Sequence, residues 1–137
     1  MCIRDRIYAD VKTWCICKGF VDYICPQLYY SLDNPALTFE DSLTAWSDLD
    51  INKSVKLYVG LAGYKANSDA DEGTWLYSNN ILADEYKTAV NNEKVSGIML
   101  YSYSALKYEN ASTEIANLTK AMSNNLDAEN QTTVPIQ

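Results

Sequence analysis

The sequence contains no histidine. That removes the commonest general base, the Ser–His and Cys–His nucleophile pairs, and the commonest metal ligand. Positive charge is in short supply too: eleven Lys and Arg against eighteen Asp and Glu leave a formal net charge of −7. Nucleic-acid phosphates would need a basic stripe, and an anionic membrane surface would repel this chain. No stretch approaches the roughly 20 apolar residues of a membrane-spanning helix. Cysteine is confined to positions 2, 15, 17 and 25. A lone Cys-x-Cys pair is a poor zinc signal, because structural sites want four ligands at metal spacing. Cys15 and Cys25 read as small buried hydrophobes. No metal or cofactor is expected. The opening MCIRDR, residues 1–6, is charged and has no apolar h-region, so it is not read as a signal peptide. It looks like a translated sequencing adapter, which makes residues 1–6 a non-native leader and places the native start near Ile7, inside an element.

Phenylalanine occurs only twice, against eleven Tyr and three Trp. Tyrosine presents a flat apolar face with a polar tip, which suits a wet concave surface as well as a core. At 137 residues, 47% hydrophobic and 21% charged, the chain fits one domain or part of a larger one.

Periodicity predicts helix, strand, helix, strand, helix, strand, helix and a polar tail. Ile7, Val11, Trp14, Cys15 and Lys18 sit at helical spacing, with Gly19 as the residue that ends the helix. Residues 21–28 (VDYICPQL) read as a buried strand whose end is marked by Pro26. Thr38 caps a helix with the apolar stripe Phe39, Leu43, Trp46 and Leu49. Residues 55–60 (VKLYVG) form the second strand, followed by a long polar loop over 62–79. A helix over 80–92 turns Leu82, Tyr86, Ala89 and Val90 inward. Residues 95–103 (VSGIMLYSY) form the third strand, and Ile115, Leu118 and Met122 mark the last helix. Residues 123–137 read as a polar tail, unstructured from Asp127 onward. Strands alternating with helices in this way mean βα units and a parallel sheet. Three such strands cannot cover both faces and both edges of a sheet, so a partner half is expected.

Three segments carry a resemblance: VDYICPQLYY (21–30), VKLYVGLAGYK (55–65) and VSGIMLYSY (95–103). In this order and at these separations they resemble the last three strands of glycosyl-hydrolase-like family 10. Its members join a DY-x-x-PQ-x-Y strand to an LY-x-G-x-x-x-YK strand and a closing SG-x-x-x-F/Y strand. The match runs over about residues 7–122. The resemblance implies the C-terminal portion of a (β/α)8 TIM barrel, with these strands as the sixth, seventh and eighth. It implies a carbohydrate substrate, bacterial peptidoglycan-type chains first. It also implies a bacterial parent hydrolase that is extracellular or in the cell envelope. The partners it implies are that sugar and the missing N-terminal part of the barrel. Family members carry an acidic DDYFYP-like motif on the fourth strand, taken to hold catalytic carboxylate. This sequence has nothing like it, so the piece alone is expected to be inactive.

Barrels of this kind keep their working groups at the C-terminal ends of strands. Strand alternation puts Cys25, Gln27 and Tyr29 on one face, and Ile24, Pro26 and Leu28 on the more apolar face that meets the helices. On the last strand Gly97, Met99, Tyr101 and Tyr103 share the inward face. A sugar site needs flat aromatic faces and a few fixed amide and hydroxyl groups. Gln27, Tyr29, Tyr64 and Tyr101 are therefore the expected substrate-binding residues, and Lys65 is expected to be a solvated loop charge. Glycoside hydrolysis normally takes two carboxylates some 5–10 Å apart (roughly). Asp22 lies at the wrong end of its strand. Asp33, Asp69, Asp71 and Glu72 lie in loops on the correct side but read as solvated, so no catalytic pair is nominated. Two rival classes compete with this reading. A non-catalytic carbohydrate-binding barrel would keep the cleft without the acids. A nucleotide-binding domain would need a glycine-rich turn before a helix, and Gly60-Leu-Ala-Gly63 has neither the spacing nor the helix.

Overall fold

A computed structural model of the chain describes residues 9–132. The expected leader 1–6, Ile7 and residues 133–137 of the tail lie outside the described residues. The elements are α1 (Val11–Ile16), β1 (Tyr23–Ile24), α2 (Phe39–Ser47), β2 (Lys56–Ala62), α3 (Ile81–Val90), β3 (Val95–Tyr101) and α4 (Ser112–Thr132), with short 3₁₀ turns between them. The strands form one parallel sheet in the order β1-β2-β3. The architecture is α/β, as the alternating pattern predicts.

The boundaries show where sequence signals were overridden. Asp10 caps α1 by accepting from the Thr13 N–H at 3.2 Å, and the helix ends at Ile16. Gly19 (φ +96°) therefore turns the connection to β1 and does not cap the helix. The first strand is much shorter than the expected 21–28. Pro26 has no N–H to give, so the ladder breaks there. The register nevertheless persists: Tyr23 pairs with Lys56 and Ile24 with Leu57, and a bridge joins Gln27 to Gly60. Pro26 still contributes its carbonyl, which accepts from the Gly60 N–H at 2.9 Å.

Thr38 caps α2 as expected, accepting from Asp41 N–H at 3.1 Å, with Glu40 and Asp41 in the positive first turn. The helix stops at Ser47, so Leu49 falls beyond the stripe assigned to it. β2 runs two residues further than expected, to Ala62. α4 continues to Thr132, past the point where the polar composition suggested the chain would lose structure. Leu118 of its stripe is buried, while Met122 and Leu126 are exposed at 38% and 59%.

The core lies on one face of the sheet. Leu28, Val59 and Leu61 meet Phe39 and Leu43 of α2, Leu82, Tyr86 and Ala89 of α3, and Leu118 of α4. Period-two alternation turns the remaining strand residues to the other face. There Tyr23, Gln27, Met99 and Tyr101 are exposed. Parallel sheets are normally covered on both faces; this one is covered on one. None of the helices among the described residues is long and apolar enough to cross a membrane.

Candidate functional site

The site is built at the C-terminal ends of the three strands. Tyr29 follows β1, Tyr64 sits in the turn Gly63–Lys65 that leaves β2, and Tyr101 ends β3. The Tyr29 and Tyr101 rings stack at 6.0 Å between centroids and 29° between planes. Tyr64 meets both edge-on, at 5.9 Å from Tyr29 and 6.0 Å from Tyr101. Offset and edge-to-face pairs at these separations are the favoured aromatic geometries. The peptide between Tyr101 and Ser102 is cis.

Two glycines make the cluster possible. A Cβ on Gly60 would lie 3.0 Å from the Pro26 carbonyl oxygen and 3.4 Å from Tyr29 Cε1. Gly60 thus lets the strands approach with the Tyr29 ring lying over it. A Cβ on Gly63 would meet Leu100 Cδ1 at 3.0 Å, so the chain leaving β2 can pass close to the end of β3. Gly60→Val is expected to push Tyr29 off its seat and to cost about 1–3 kcal/mol through overpacking. Chemical denaturation together with the loss of Tyr29–Tyr101 ring cross-peaks would check it; unchanged cross-peaks would refute it.

Tyr64 is 39% and Tyr101 56% exposed, so the cluster offers ring faces to solvent. Burial, with further contributions from Tyr64, Cys25 and Tyr101, pushes the Tyr29 phenol above its usual range. It stays a neutral donor at ordinary pH. Burial likewise raises Cys25, which keeps it a thiol and not a nucleophilic thiolate. Gln27 stands two residues before Tyr29 on the same open face, exposed, and its side chain makes no hydrogen bond among the described residues. Three of the four expected site residues are in mutual contact; Gln27 shares their face but not their ring contacts.

The loop over 62–79 corrects the reading of its charges. It carries 3₁₀ turns at Gly63–Lys65 and Asp71–Leu76, and Trp75 within it is fully buried. Neither Lys65 nor Asp71 is solvated: their side chains are 16% and 15% exposed. Lys65 Nζ donates to Asp71 Oδ1 at 2.8 Å and to the Tyr29 carbonyl oxygen at 2.7 Å. The Trp75 indole N–H donates to Asp71 Oδ2 at 2.8 Å. Burial pushes the Asp71 carboxyl up, but bonds from Lys65, Trp75 and Asn34 outweigh it and hold the group below the usual carboxylate range. Ser31 Oγ and Thr74 Oγ1, 2.6 Å apart, make a second tie between the same segments. Sequence reasoning missed this network because a polar loop reads as solvated. The available signal was a tryptophan four residues after an aspartate, since an indole buried in a loop needs an acceptor.

Glu85 and Glu114, both fully buried, were also missed. The Glu114 carboxylate accepts from the N–H groups of Ile81 and Leu82 at 3.2 and 3.0 Å, capping α3 from α4. Glu85 has no hydrogen-bond partner among the described residues. Among the described residues no group of acids, cysteines or histidines could hold a metal ion.

Residues 2–78 match a family model described as Glycosyl hydrolase-like 10. Among curated relatives, Glycosyl hydrolase YngK of Bacillus subtilis (strain 168) is 40% identical over 67 residues, which is 49% of this chain and 13% of the relative. Glycosyl hydrolase DigH of Escherichia coli (strain K12) is 27% identical over 100 residues, 71% of this chain and 23% of the relative. The chain thus spans less than a quarter of the length of either of these relatives. The family match takes in β1, β2 and the clamped loop up to Ser78, which includes Gln27, Tyr29 and Tyr64 of the site. The chain belongs to the glycosyl hydrolase-like 10 family.

Proposed function

We propose that this chain is the C-terminal part of a (β/α)8 glycoside hydrolase and supplies one wall of its sugar cleft. The observation that carries the reading is the meeting of Tyr29, Tyr64 and Tyr101 at the C-terminal ends of three adjacent parallel strands, where barrels keep their sites. Exposed ring faces stack on the C–H surface of a pyranose, and phenol and amide groups satisfy its hydroxyls. Gln27 is the orienting amide and Tyr101, the most exposed ring of the three, the stacking platform. The substrate class is a bacterial glycan of the peptidoglycan type or another polysaccharide. The open sheet face and unpaired strand edges are where the rest of the barrel packs. The catalytic carboxylates belong to that remainder. Asp71 is committed to Lys65 and Trp75.

Titrating the complete parent protein with a chitin-type tetrasaccharide is expected to shift the ring resonances of Tyr29, Tyr64 and Tyr101. Tyr101→Ala should weaken that binding by roughly 1–3 kcal/mol, the scale of one lost stacking contact, with less effect on melting. Normal binding by a Tyr101→Ala variant that melts much earlier would make the ring core packing and sink the assignment. A second reading, a carbohydrate-binding barrel without hydrolysis, rests on the same ring cluster, which needs no carboxylate to bind sugar. Acidic residues at the end of the fourth strand in the complete gene would exclude it.

A further inference from the structure

We propose that Lys65 and Asp71 are positioning residues for the tyrosine cluster, fixing Tyr29 and Tyr64 relative to each other through the Tyr29 carbonyl. The proposal rests on the reading of that cluster as a sugar platform, and extends it from the rings to what holds them.

The need for a clamp follows from the strand geometry. Backbone pairing between the β1 segment and β2 ends where Leu28 N–H donates to the Gly60 carbonyl at 3.1 Å. Tyr29 lies just past the ladder, so its carbonyl must find another donor or water. Lys65 supplies that donor, and Lys65 is the residue next to Tyr64. One ammonium therefore ties the backbone under the first ring to the residue beside the second. Asp71 fixes the ammonium, and its other oxygen is held by the buried indole of Trp75. Asp71, Glu72 and Gly73 take left-handed backbone angles (φ 52°, 60° and 80°), a conformation that costs a non-glycine residue energy. The loop adopts it where the carboxylate meets both donors.

Burial separates this pair from an ordinary surface bridge. The other ion pair among the described residues, Lys87–Asp84, has side chains 60% and 45% exposed and is of the kind that contributes little. In Lys65–Asp71 both groups are mostly withdrawn from water and every contact is charge-assisted. A residue that merely stabilised the fold would lower the melting temperature and leave ring geometry intact in the folded state. A positioning residue changes the geometry while the chain is still folded.

The test uses the complete parent protein, with ring-to-ring cross-peaks and tetrasaccharide affinity both measured well below the melting temperature. Lys65→Met and Asp71→Asn are expected to lose the Tyr29–Tyr64 cross-peaks and to bind about tenfold more weakly, the scale of two side chains no longer pre-organised. Lys87→Met should match the wild type in both. Asp71→Asn keeps an oxygen for Trp75 and carries the test if Lys65→Met does not fold. Acidifying the wild type through the Asp71 titration should reproduce the asparagine variant, which has no such transition of its own. Folded Asp71→Asn with wild-type cross-peaks and affinity would overturn the proposal. If the wild type binds no tetrasaccharide, the sugar reading fails, and the cross-peaks alone then decide whether the clamp positions the rings.

Discussion

Replacing Glu114 by Ala is expected to cost about 2–6 kcal/mol of folding stability, from two buried backbone N–H groups losing their acceptor at about 1–3 kcal/mol each. Most helices are capped by a residue immediately before them. Asn80 stands at that position in α3 and makes no side-chain capping bond. The orphan donors of Ile81 and Leu82 are satisfied instead by a carboxylate 33 and 32 residues away. Burial pushes the Glu114 carboxyl up against these two bonds, which pull it down. Glu114→Gln keeps one acceptor oxygen and should fall between the wild type and Glu114→Ala. Urea denaturation measures the series; a loss below about 1 kcal/mol for the alanine variant would mean water replaces the carboxylate at little cost.

Glu85→Leu should act in the opposite direction and stabilise by about 1–3 kcal/mol, the cost of keeping a polar group buried without a partner. Burial raises the Glu85 carboxyl well above its usual range, Glu114 and Asp71 raise it further, and Lys65 opposes them. A carboxyl that titrates higher in the folded than in the unfolded chain contributes stability fully present below its unfolded value. That stability is lost as the pH rises through the folded value. Asp71 works with the opposite sign: lowered in the fold, it contributes above its unfolded value and is lost as the pH falls through the folded one. The wild type should therefore lose stability as the pH rises from the ordinary carboxylate range towards the folded Glu85 value. Glu85→Leu should reduce that limb to the share left by Glu114, which burial also raises, and leave the acid limb alone. A leucine variant with the wild-type pH slope would show that Glu85 is not the group titrating. The two glutamates are neighbours, so their effects should not add.

The two glutamates also show where the sequence could not be read. In α3 the expected inward residues Leu82, Tyr86 and Ala89 are buried as the 3.6-residue period requires. Glu85 falls on the same stripe, four residues before Ala89, but an acid on a helix is ordinarily assigned to solvent. Periodicity pointed inward and chemistry pointed outward, and periodicity won. The parallel α/β order and the Thr38 cap were legible because local rules settle them. The open face of Gln27, Tyr29 and Tyr101 was legible because strand alternation allows only two faces. The extent of β1 was not, because Pro26 interrupts the ladder without ending the register. The Lys65–Asp71–Trp75 network depends on a left-handed turn at Asp71–Gly73, and only the glycine announces such a turn in sequence.

The three rings of the cluster are 35 and 37 residues apart in the chain, one βα unit each. None of their contacts is local, so none can form before a whole unit has closed on its neighbour. Loop-closure entropy must be met before such contacts return anything, and this slows their appearance in folding. In a refolding experiment the Tyr29–Tyr101 contact, which spans two units, should therefore emerge after the helices and after Tyr29–Tyr64. It would serve as a built-in clock for completion of the sheet.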